Sequence, residues 1–360
     1  MKCHCSHITL NGICYDLAEI HDHCRKGMIE STREWERDLY AFILEWLNKE
    51  EYIEAKTSGS TGIPKAIRLS KKSMINSARL TGRFFNFSPG QTAMLCLSPA
   101  YIAGKMMIVR AMVWGLNLIA VEPGGNPLDG LEEKIDFAAM VPLQVYNSMR
   151  NPSCFDRVNR LIIGGGAVDE ALRLRLMNLE TECYSTYGMT ETVSHVALQR
   201  LNGENRKTSF QAMDKIRFNL DERGCLVIHA AHLLEKALVT NDIVELISET
   251  EFRWLGRYDN VVNSGGVKLI PEKLEQKIDG IMNVRYFFTG LPDAQLGERL
   301  ILVVEDEVWG EETMKLFHTN QKELLGKYEQ PKEIYFVKNF SETATGKVQR
   351  SATIAELMKS

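Results

Sequence analysis

The chain has 360 residues, of which 44% are hydrophobic and 25% are charged, a composition typical of a globular protein with one large and one smaller domain. The formal net charge of -4 leaves no surplus of cations to neutralise phosphates, which excludes nucleic acid as an expected partner. The amino terminus has no apolar stretch followed by a cleavage site, so a cytoplasmic location is expected.

The first 24 residues are rich in cysteine and histidine. Their spacing does not match paired C-x2-C zinc ligands, and the eight cysteines of the chain do not form a disulfide pattern. An uncoordinated segment with free thiols is therefore predicted, with a structural zinc site as the alternative.

Strands and helices alternate along the first two thirds of the chain. The spacing of apolar residues predicts a helix over 33–48, and Ser70 is placed to cap another helix after the strand AIRLS. The stretch MMIVRAMVWGLNLIAVEP is broken by an arginine and a glycine, so it predicts no membrane span but a buried helix, 105–114, and a buried strand, 116–121. Further strands are predicted at TAMLCLS and RLIIGGG. Strands separated by helices favour an α/β sheet.

The pattern changes in the last third of the chain. Closely spaced strands at CLVIHA, DIVELI and FRWLG indicate an antiparallel sheet, and helices and strands are mixed after GRYDNVVNSGG. We place a domain boundary near Asp259. Residues 1–256 are predicted to form a large α/β domain with mixed sheets, and residues 257–360 a small α+β domain.

Residues 57–65, TSGSTGIPK, combine glycines, hydroxyl groups and a lysine. Backbone N–H groups of such a loop converge on an anion, because glycine tolerates positive φ and permits close approach. A flexible linker is the alternative, but linkers do not usually end in Pro-Lys before a strand. A Walker A loop is excluded because Pro64 stands where the second glycine is required. The loop therefore predicts a polyphosphate site.

This loop resembles the phosphate loop of the adenylate-forming superfamily, which contains acyl-CoA synthetases, peptide-synthetase adenylation domains and luciferases. Further segments resemble the motifs of that family in the same order: IIGGGA, TYGMTET, VTND, GRYDNVVNSGGVKLIPEKLE, GLPDAQLGE and TATGKVQR. The resemblance covers about five-sixths of the chain, counted from the phosphate loop. It implies that a carboxylate attacks the α-phosphate of ATP to give an acyl-adenylate and pyrophosphate, after which the thiol of CoA takes the acyl group.

The resemblance also implies the residues that bind ATP and Mg²⁺. Thr190 would bond the α-phosphate, Glu191 would bind Mg²⁺, and Lys347 would reach the α-phosphate and the carboxylate; alone, Glu191 reads as a solvated acid and Lys347 as a surface lysine. The implied nucleotide contacts are Thr57, Ser58, Gly59, Ser60, Thr61, Gly62 and Lys65 for the phosphates, Gly164, Gly165, Gly166 and Tyr187 at the adenine, and Asp242 and Arg257 at the ribose. Gly188 and Met189 are also implied to bind ATP.

The chain departs from the family pattern at Asn241, where a glycine is usual. Because asparagine tolerates left-handed backbone, the turn is still expected to form. Asp259 matches the hinge about which the small domain rotates between the two steps. The face that then approaches the active site carries Gly265, Gly266 and Lys268, which the resemblance assigns to CoA.

The acyl pocket is expected between LSPAYIAGK and the residues after TYGMTET. Tyr101 stands at a gate position, and small residues at Ala103 and Gly104 leave room for a ring. His195 and Arg200 could meet a second carboxylate of the substrate, although His195 reads equally well as a core or surface histidine.

The short chain and the run YGMTETVSHVAL most resemble the o-succinylbenzoate–CoA ligases of menaquinone biosynthesis, whose acid is aromatic and dicarboxylic. The alternatives are another aryl or fatty acid–CoA ligase, an enzyme that loads a carrier-protein thiol, and a non-catalytic nucleotide-binding homologue. Only 56 residues precede the phosphate loop, fewer than in most members, so a homodimer that covers the exposed surface is expected.

Overall fold

The computed structural model describes residues 7–56, 66–343 and 348–359. The chain divides into two compact units. The first comprises Met1–Val168, Leu172–Arg217 and His229–Ala237, and the second Asp169–Ala171, Phe218–Ile228 and Leu238–Ser360. The predicted boundary between residues 256 and 257 lies inside the second unit, and as the boundary of a moving domain it stays a prediction.

The elements of the first unit confirm the predicted alternation of strands and helices. In chain order they are β1 (His7–Leu10), β2 (Ile13–Asp16), α1 (Leu17–Glu30), α2 (Glu34–Leu47), β3 (Tyr52–Lys56), β4 (Ala66–Ser70), α3 (Lys71–Phe84), β5 (Thr92–Leu95), α4 (Ile102–Trp114), β6 (Asn117–Ala120), β7 (Ile135–Met140), α5 (Pro142–Ser148), β8 (Val158–Ile163), α6 (Glu170–Leu176), β9 (Glu182–Gly188), β10 (His195–Arg200) and β11 (Phe210–Ala212).

The main sheet of this unit has the strand order β11-β10-β9-β8-β7-β5-β6-β1-β2. The six strands from β9 to β1 are parallel, whereas β10, β11 and β2 are antiparallel to their neighbours. Apolar side chains of β5, β7 and β8, among them Met94, Ile135 and Leu161, are buried in one core. Because parallel strands end at the same edge of a sheet, this arrangement gathers the loops that follow them.

Two helices show how local sequence sets their bounds. Ser70 caps α3 as predicted, since its hydroxyl accepts a hydrogen bond from the Ser73 N–H at 3.0 Å. Helix α4 begins three residues before the predicted position and ends at Gly115, whose φ of +64° forms a left-handed cap. All residues from 104 to 112 in α4 are buried, including Arg110.

The second unit contains two sheets. Its elements are β12 (Arg217–Leu220), β13 (Cys225–His229), β14 (Leu238–Ser248), β15 (Glu251–Arg257), β16 (Val262–Ser264), β17 (Val267–Leu269), α7 (Pro271–Ile278), β18 (Tyr286–Asp293), β19 (Gly297–Glu305), α8 (Glu311–Leu324), β20 (Glu333–Val337) and α9 (Arg350–Leu357). One sheet has the order β12-β13-β14-β15, and the other β17-β16-β19-β18 with β20 parallel to β19. The mixed α+β character predicted for this part of the chain is confirmed.

Apolar residues of β16, α7, β18, β19 and α8 form a core of their own in the second unit, with Leu274, Phe288 and Leu302 among them. The second unit therefore has a hydrophobic core of its own. None of the described helices is both long enough and apolar enough to cross a membrane.

Candidate active site

The carboxyl ends of β8 and β9 bring two of the predicted motifs together. Ile163 pairs with Ser185, so residues 164–166 follow β8 directly beside Thr186. The Thr186 hydroxyl donates to the Ile163 carbonyl oxygen at 3.2 Å. A Cβ on Gly164 would lie 2.3 Å from Thr186 Oγ1, so only glycine permits this approach. The structure thus places the glycine turn against the tyrosine motif.

The backbone beyond Gly164 is accessible. Gly165 has a φ of +81°, a conformation in which a side chain would be strained, and both Gly165 and Gly166 are exposed. An exposed turn without side chains offers its backbone to a flat ring. Adenine contact by Gly164, Gly165 and Gly166 stays a prediction that this geometry supports.

Tyr187 is the penultimate residue of β9. Its side chain is buried, and its ring centroid lies 5.8 Å from that of Phe210. At the next residue, Gly188, a Cβ would lie 2.4 Å from the Ser194 carbonyl oxygen. Glycine is therefore required where the chain leaves β9 and returns as β10. The structure gives Tyr187 a packing role, and its stacking on adenine, like nucleotide contact by Gly188 and Met189, stays a prediction.

Thr192 fastens the turn between β9 and β10. Its side chain is fully buried, and its hydroxyl lies 3.0 Å from the Met189 carbonyl oxygen and 2.7 Å from that of Ser194. The same hydroxyl accepts from the Met189 N–H at 3.0 Å. The next residue, Val193, has a φ of +69°, which a β-branched residue rarely adopts and which costs about 1–3 kcal/mol. These contacts help to stabilise the strained conformation of the turn.

This turn carries Thr190 and Glu191. Thr190 is 9% exposed, and the Val193 N–H donates to its carbonyl oxygen at 2.9 Å. Glu191 is exposed, and within the described residues no three His, Cys, Asp or Glu side chains lie close enough to hold a metal ion. One accessible carboxylate fits Mg²⁺, which is commonly held by one or two carboxylates together with substrate phosphates and water.

His195 lies in the core of the first unit. Its side chain is 5% exposed, its Nε2 lies 3.1 Å from Thr81 Oγ1 and its Nδ1 3.4 Å from Ser194 Oγ. Burial lowers the pKa of His195 well below its usual range, and the positive charge of Arg110 lowers it further. A neutral imidazole does not attract a carboxylate as a cation would. The geometry supports the core alternative, and acyl contact by His195 stays a prediction.

Arg200, the other residue predicted to meet a second carboxylate, has partners within the chain. Its Nη1 lies 3.2 Å from Glu182 Oε1 and 3.1 Å from the Tyr184 hydroxyl, and its Nε donates to the Asn202 carbonyl oxygen at 3.0 Å. Because Glu182 already balances the guanidinium charge, a substrate carboxylate would have to compete with it. Acyl binding by Arg200 stays a prediction without support from these contacts.

The predicted acyl residues at the start of α4 differ in environment. Tyr101 is half-buried and Ala103 is exposed, which suits residues at a pocket entrance. Gly104 is buried, and a Cβ there would lie 2.4 Å from the Ser98 carbonyl oxygen. The space beside Gly104 is therefore filled by backbone. Glycine is needed here because the helix packs against residue 98, and acyl contact by Tyr101, Ala103 and Gly104 stays a prediction.

The two predicted ribose residues lie opposite each other on β14 and β15 of the second unit. Asp242 pairs with Arg257 in the strand register, and Arg257 Nη1 lies 3.7 Å from Asp242 Oδ1. Asp242 is 5% exposed, and Trp254 Nε1 donates to Asp242 Oδ1 at 3.1 Å. A carboxylate fixed by two neighbours is suited to accepting hydroxyl hydrogen bonds. Ribose binding stays a prediction that this arrangement supports.

Asp259, the predicted hinge residue, contacts side chains of β14 and β15. Arg257 Nη2 lies 3.0 Å from Asp259 Oδ2, and Asn241 Nδ2 lies 3.3 Å from both carboxylate oxygens. Arg223 Nη1 donates in turn to Asn241 Oδ1 at 2.9 Å. Asn241 lies within strand β14 and is not among the described residues with positive φ. The expectation that Asn241 uses left-handed backbone is wrong, because the residue continues the strand and contributes its side chain instead.

The residues assigned to CoA lie at the turn between β16 and β17. Gly265 and Gly266 have φ values of +58° and +83°, and Lys268 is exposed on β17. The positive φ values explain both glycines as turn residues. CoA contact by all three stays a prediction. Thr57 to Lys65 and Lys347 lie outside the described residues, so their assigned roles also stay predictions.

A family model described as AMP-binding enzyme matches residues 57–220. A solved structure from Dyadobacter fermentans, an acyl-CoA synthetase (AMP-forming)/AMP-acid ligase II-like protein, is 37% identical. The match covers 93% of this chain and 97% of that protein, with a TM-score of 0.62. The chain belongs to the AMP-binding enzyme family. This confirms the resemblance to the adenylate-forming enzymes and the α/β fold class predicted from the sequence.

Other members of the AMP-binding enzyme family are more distant. The 2-succinylbenzoate–CoA ligase of Enterococcus faecalis is 23% identical over 83% of this chain and 68% of its own length. The o-succinylbenzoate coenzyme A synthetase of Bacillus subtilis, solved with ATP and magnesium ion, is 16% identical with a TM-score of 0.70, over 93% of this chain and 82% of that one. The chain spans 60–68% of the length of the first four curated ligases it matches.

Proposed function

We propose that this protein is an AMP-forming acid–CoA ligase and that o-succinylbenzoate is the first acid to test. The observation that carries the proposal is the junction of two family motifs, residues 164–166 and the turn 189–194, at the carboxyl ends of adjacent parallel strands. Ligands of open α/β sheets bind at this edge. The names of the distant relatives supply the choice of acid.

The first step is attack of a carboxylate oxygen on the α-phosphorus of ATP, with pyrophosphate as the leaving group. Both reactants are anions, so the site has to neutralise charge where it develops. Thr190 is assigned a hydrogen bond to the α-phosphate, and Glu191 presents an accessible carboxylate that fits Mg²⁺. When bound, the ion would offset the negative charge of the phosphates.

The second step is attack of the CoA thiol on the acyl carbon, with AMP as the leaving group. We assign it to the face that carries Gly265, Gly266 and Lys268, after rotation about Asp259. The exposed lysine and the open glycine turn support this assignment. The rotation, which the family resemblance implies, remains a proposal, as do the homodimer and a cytoplasmic location.

The function is tested by measuring pyrophosphate release from ATP with a panel of acids, each with and without CoA. The panel contains o-succinylbenzoate, benzoate, a medium-chain and a long-chain fatty acid. The proposal expects release with o-succinylbenzoate and CoA-dependent formation of the thioester with AMP. Pyrophosphate release with another acid but not with o-succinylbenzoate would identify that acid as the substrate instead. Release with no CoA ester would favour a carrier-protein acceptor. No release with any acid would contradict a ligase and favour a non-catalytic nucleotide-binding protein.

A further inference from the structure

Arg110 is a buried cation in the middle of an apolar helix. Its side chain is 2% exposed, and its neighbours in α4 are methionine, isoleucine, valine and alanine. Removing a guanidinium from water is costly, and burial lowers the pKa of Arg110 to about 10. Within the described residues it forms no ion pair with an acid. An apolar side chain would pack at this position without the cost of burying a charge, so packing alone does not explain the arginine.

The partners of Arg110 are two hydroxyl groups. Its Nε donates to Thr81 Oγ1 at 3.2 Å, and its Nη2 donates to Ser194 Oγ at 2.7 Å. His195 bridges the same hydroxyls, with Nε2 3.1 Å from Thr81 Oγ1 and Nδ1 3.4 Å from Ser194 Oγ. We call Thr81, Arg110, Ser194 and His195 the Arg110 cluster.

One assignment of protons satisfies every contact of the cluster. The Thr81 hydroxyl donates to the Ser77 carbonyl oxygen, 3.2 Å away, and accepts from Arg110 Nε and from His195 Nε2. The Ser194 hydroxyl then accepts from Arg110 and donates to His195 Nδ1. This requires a neutral His195 with its proton on Nε2. The four side chains thus form one hydrogen-bonded network, and Ser194 is the member of it that lies in the turn 189–194.

Ser194 is the residue that ends this turn. It follows Val193, which is held at a φ of +69°, and its carbonyl oxygen lies 2.7 Å from the Thr192 hydroxyl. The Val193 N–H donates to the Thr190 carbonyl oxygen at 2.9 Å. A strained turn keeps its conformation only where its surroundings determine it. The direct bond from Arg110 to Ser194 supplies such a determinant from a separate, rigid helix.

We propose that Arg110 is a positioning residue which, through Ser194, fixes the turn that presents Thr190 and Glu191. This inference rests on the proposed function, in which Thr190 contacts the α-phosphate and Glu191 fits Mg²⁺. Residues that orient a metal ligand typically contribute 10- to 100-fold in metal affinity or activity. Loss of the guanidinium therefore weakens metal–nucleotide binding and slows adenylation, without removing any group that touches the substrates.

The test compares Arg110→Met, Arg110→Lys, Ser194→Ala and the double variant Arg110→Met/Ser194→Ala with the unsubstituted full-length protein. Ile108→Ala is the matched control, since Ile108 is fully buried in the same helix and points roughly to the opposite side. Three quantities are measured: Mn²⁺ affinity in the presence of a non-hydrolysable ATP analogue, single-turnover adenylate formation, and hydrogen exchange of peptides spanning residues 185–200.

Arg110→Met is expected to weaken Mn²⁺ binding and slow adenylation by about 10- to 100-fold and to speed exchange in the turn. Arg110→Lys is expected to show smaller changes in Mn²⁺ affinity, adenylation rate and hydrogen exchange than Arg110→Met, because lysine keeps the positive charge but not the planar set of guanidinium donors. Ser194→Ala changes them in the same direction, and the double variant is no worse than Arg110→Met, since both remove one contact. Ile108→Ala lowers the thermal midpoint without these effects.

Unchanged exchange in the turn of Arg110→Met overturns the proposal, whatever its activity. Additive losses in the double variant, or equal losses of Mn²⁺ affinity in Arg110→Met and Ile108→Ala, also overturn it, because they indicate general destabilisation. Failure of the proposed function is recognised separately: the unsubstituted protein then releases no pyrophosphate with any acid, and the catalytic part of the inference falls with it.

Discussion

Asn241 holds the carboxylate of Asp259 through its side-chain amide, with 3.3 Å from Nδ2 to each carboxylate oxygen. The family pattern has glycine at position 241, so this contact is an addition made by this chain. We expect Asn241→Ala to release Asp259 and to change the ratio of the two half-reaction rates by about 5-fold, the effect of roughly 1 kcal/mol. The measurement is single-turnover adenylate formation and thioester formation from supplied adenylate.

Two further substitutions at this position make the test specific. Asn241→Asp places a second carboxylate beside Asp259, so its effect on the ratio should exceed that of alanine because like charges repel. Asn241→Gly removes the side chain and also frees the backbone of β14. Equal half-reaction ratios in all three variants and the unsubstituted protein would show that the contact does not restrain the hinge.

Trp254 is expected to support ATP binding through Asp242. Its indole N–H donates to Asp242 Oδ1 at 3.1 Å, and a hydrogen bond to a charged group contributes about 1.5–3 kcal/mol. Trp254→Phe keeps the ring but removes the donor, so ATP affinity should fall by about 10-fold in a calorimetric titration. Asp242→Asn is the reference variant and should lower ATP affinity at least as much as Trp254→Phe does. Unchanged ATP affinity in Trp254→Phe would mean that Asp242 does not depend on this donor.

The sequence predicted elements where local chemistry is strong. The Ser70 cap predicts the start of α3, and the apolar run predicts α4, because each of these signals lies within one turn or one helix. Two local signals were overlooked. Asn11-Gly12, with φ values of +51° and +80°, joins β1 and β2 as a hairpin turn, and Asp16 with Glu19 forms the capping box that begins α1.

The contacts of the candidate site could not be predicted in the same way. Arg110 and Ser194 are 84 residues apart, and Asn241 and Asp259 are 18 apart on different elements. The resemblance to family motifs gives the position of each implied residue but not its partners in the fold. Arg200 was therefore expected to be free to bind a substrate carboxylate, although Glu182 pairs with it. One signal did exist. Arg110, a charged residue inside the apolar run of α4, argues against a membrane span, and its position in that run also indicates a buried polar cluster.

Arg200 is expected to be structural. Its ion pair with Glu182 at 3.2 Å and its bond to the Asn202 carbonyl oxygen connect β10 to β9 and to the loop that follows. Arg200→Gln should lower the thermal midpoint by a few degrees, corresponding to about 1 kcal/mol. The ratio of kcat/KM for o-succinylbenzoate to that for benzoate should stay the same. A selective loss with the dicarboxylic acid would instead establish that Arg200 binds the second carboxylate.

Lys347 and Lys268 are expected to serve different half-reactions. Lys347→Ala should abolish formation of the acyl-adenylate but spare thioester formation from supplied adenylate, because the family resemblance assigns it to the α-phosphate. Lys268, exposed on β17, is the matched lysine control, and Lys268→Ala should show the reverse pattern. Both reactions are followed in single turnovers with the same protein preparations. Loss of both half-reactions in either variant would refute the assignment of the two lysines to separate faces.

Glu275 is expected to make stability depend on pH. Its carboxylate accepts from the Phe288 N–H at 2.9 Å and from Arg350 Nη2 at 2.8 Å. Burial raises the pKa of Glu275 to about 7, the negative charge of Glu272 adds to the rise, and Arg350 opposes it. In the unfolded chain the pKa of a glutamate is about 4.3. Between these two values the folded protein binds more protons, so the free energy of unfolding falls as pH rises from about 5 to 7, by roughly 1–3 kcal/mol.

Glu275→Gln isolates this contribution. Glutamine keeps an acceptor for the Phe288 N–H but has no proton to lose, and Arg350 retains Glu272 at 3.6 Å as a partner. Urea unfolding at pH 5, 6, 7 and 8 should show that the variant gains stability relative to the unsubstituted protein as pH rises, with most of the change between pH 5 and 7. A difference that is constant across the four pH values would mean that Glu275 is ionised throughout and that Arg350 fully offsets its burial.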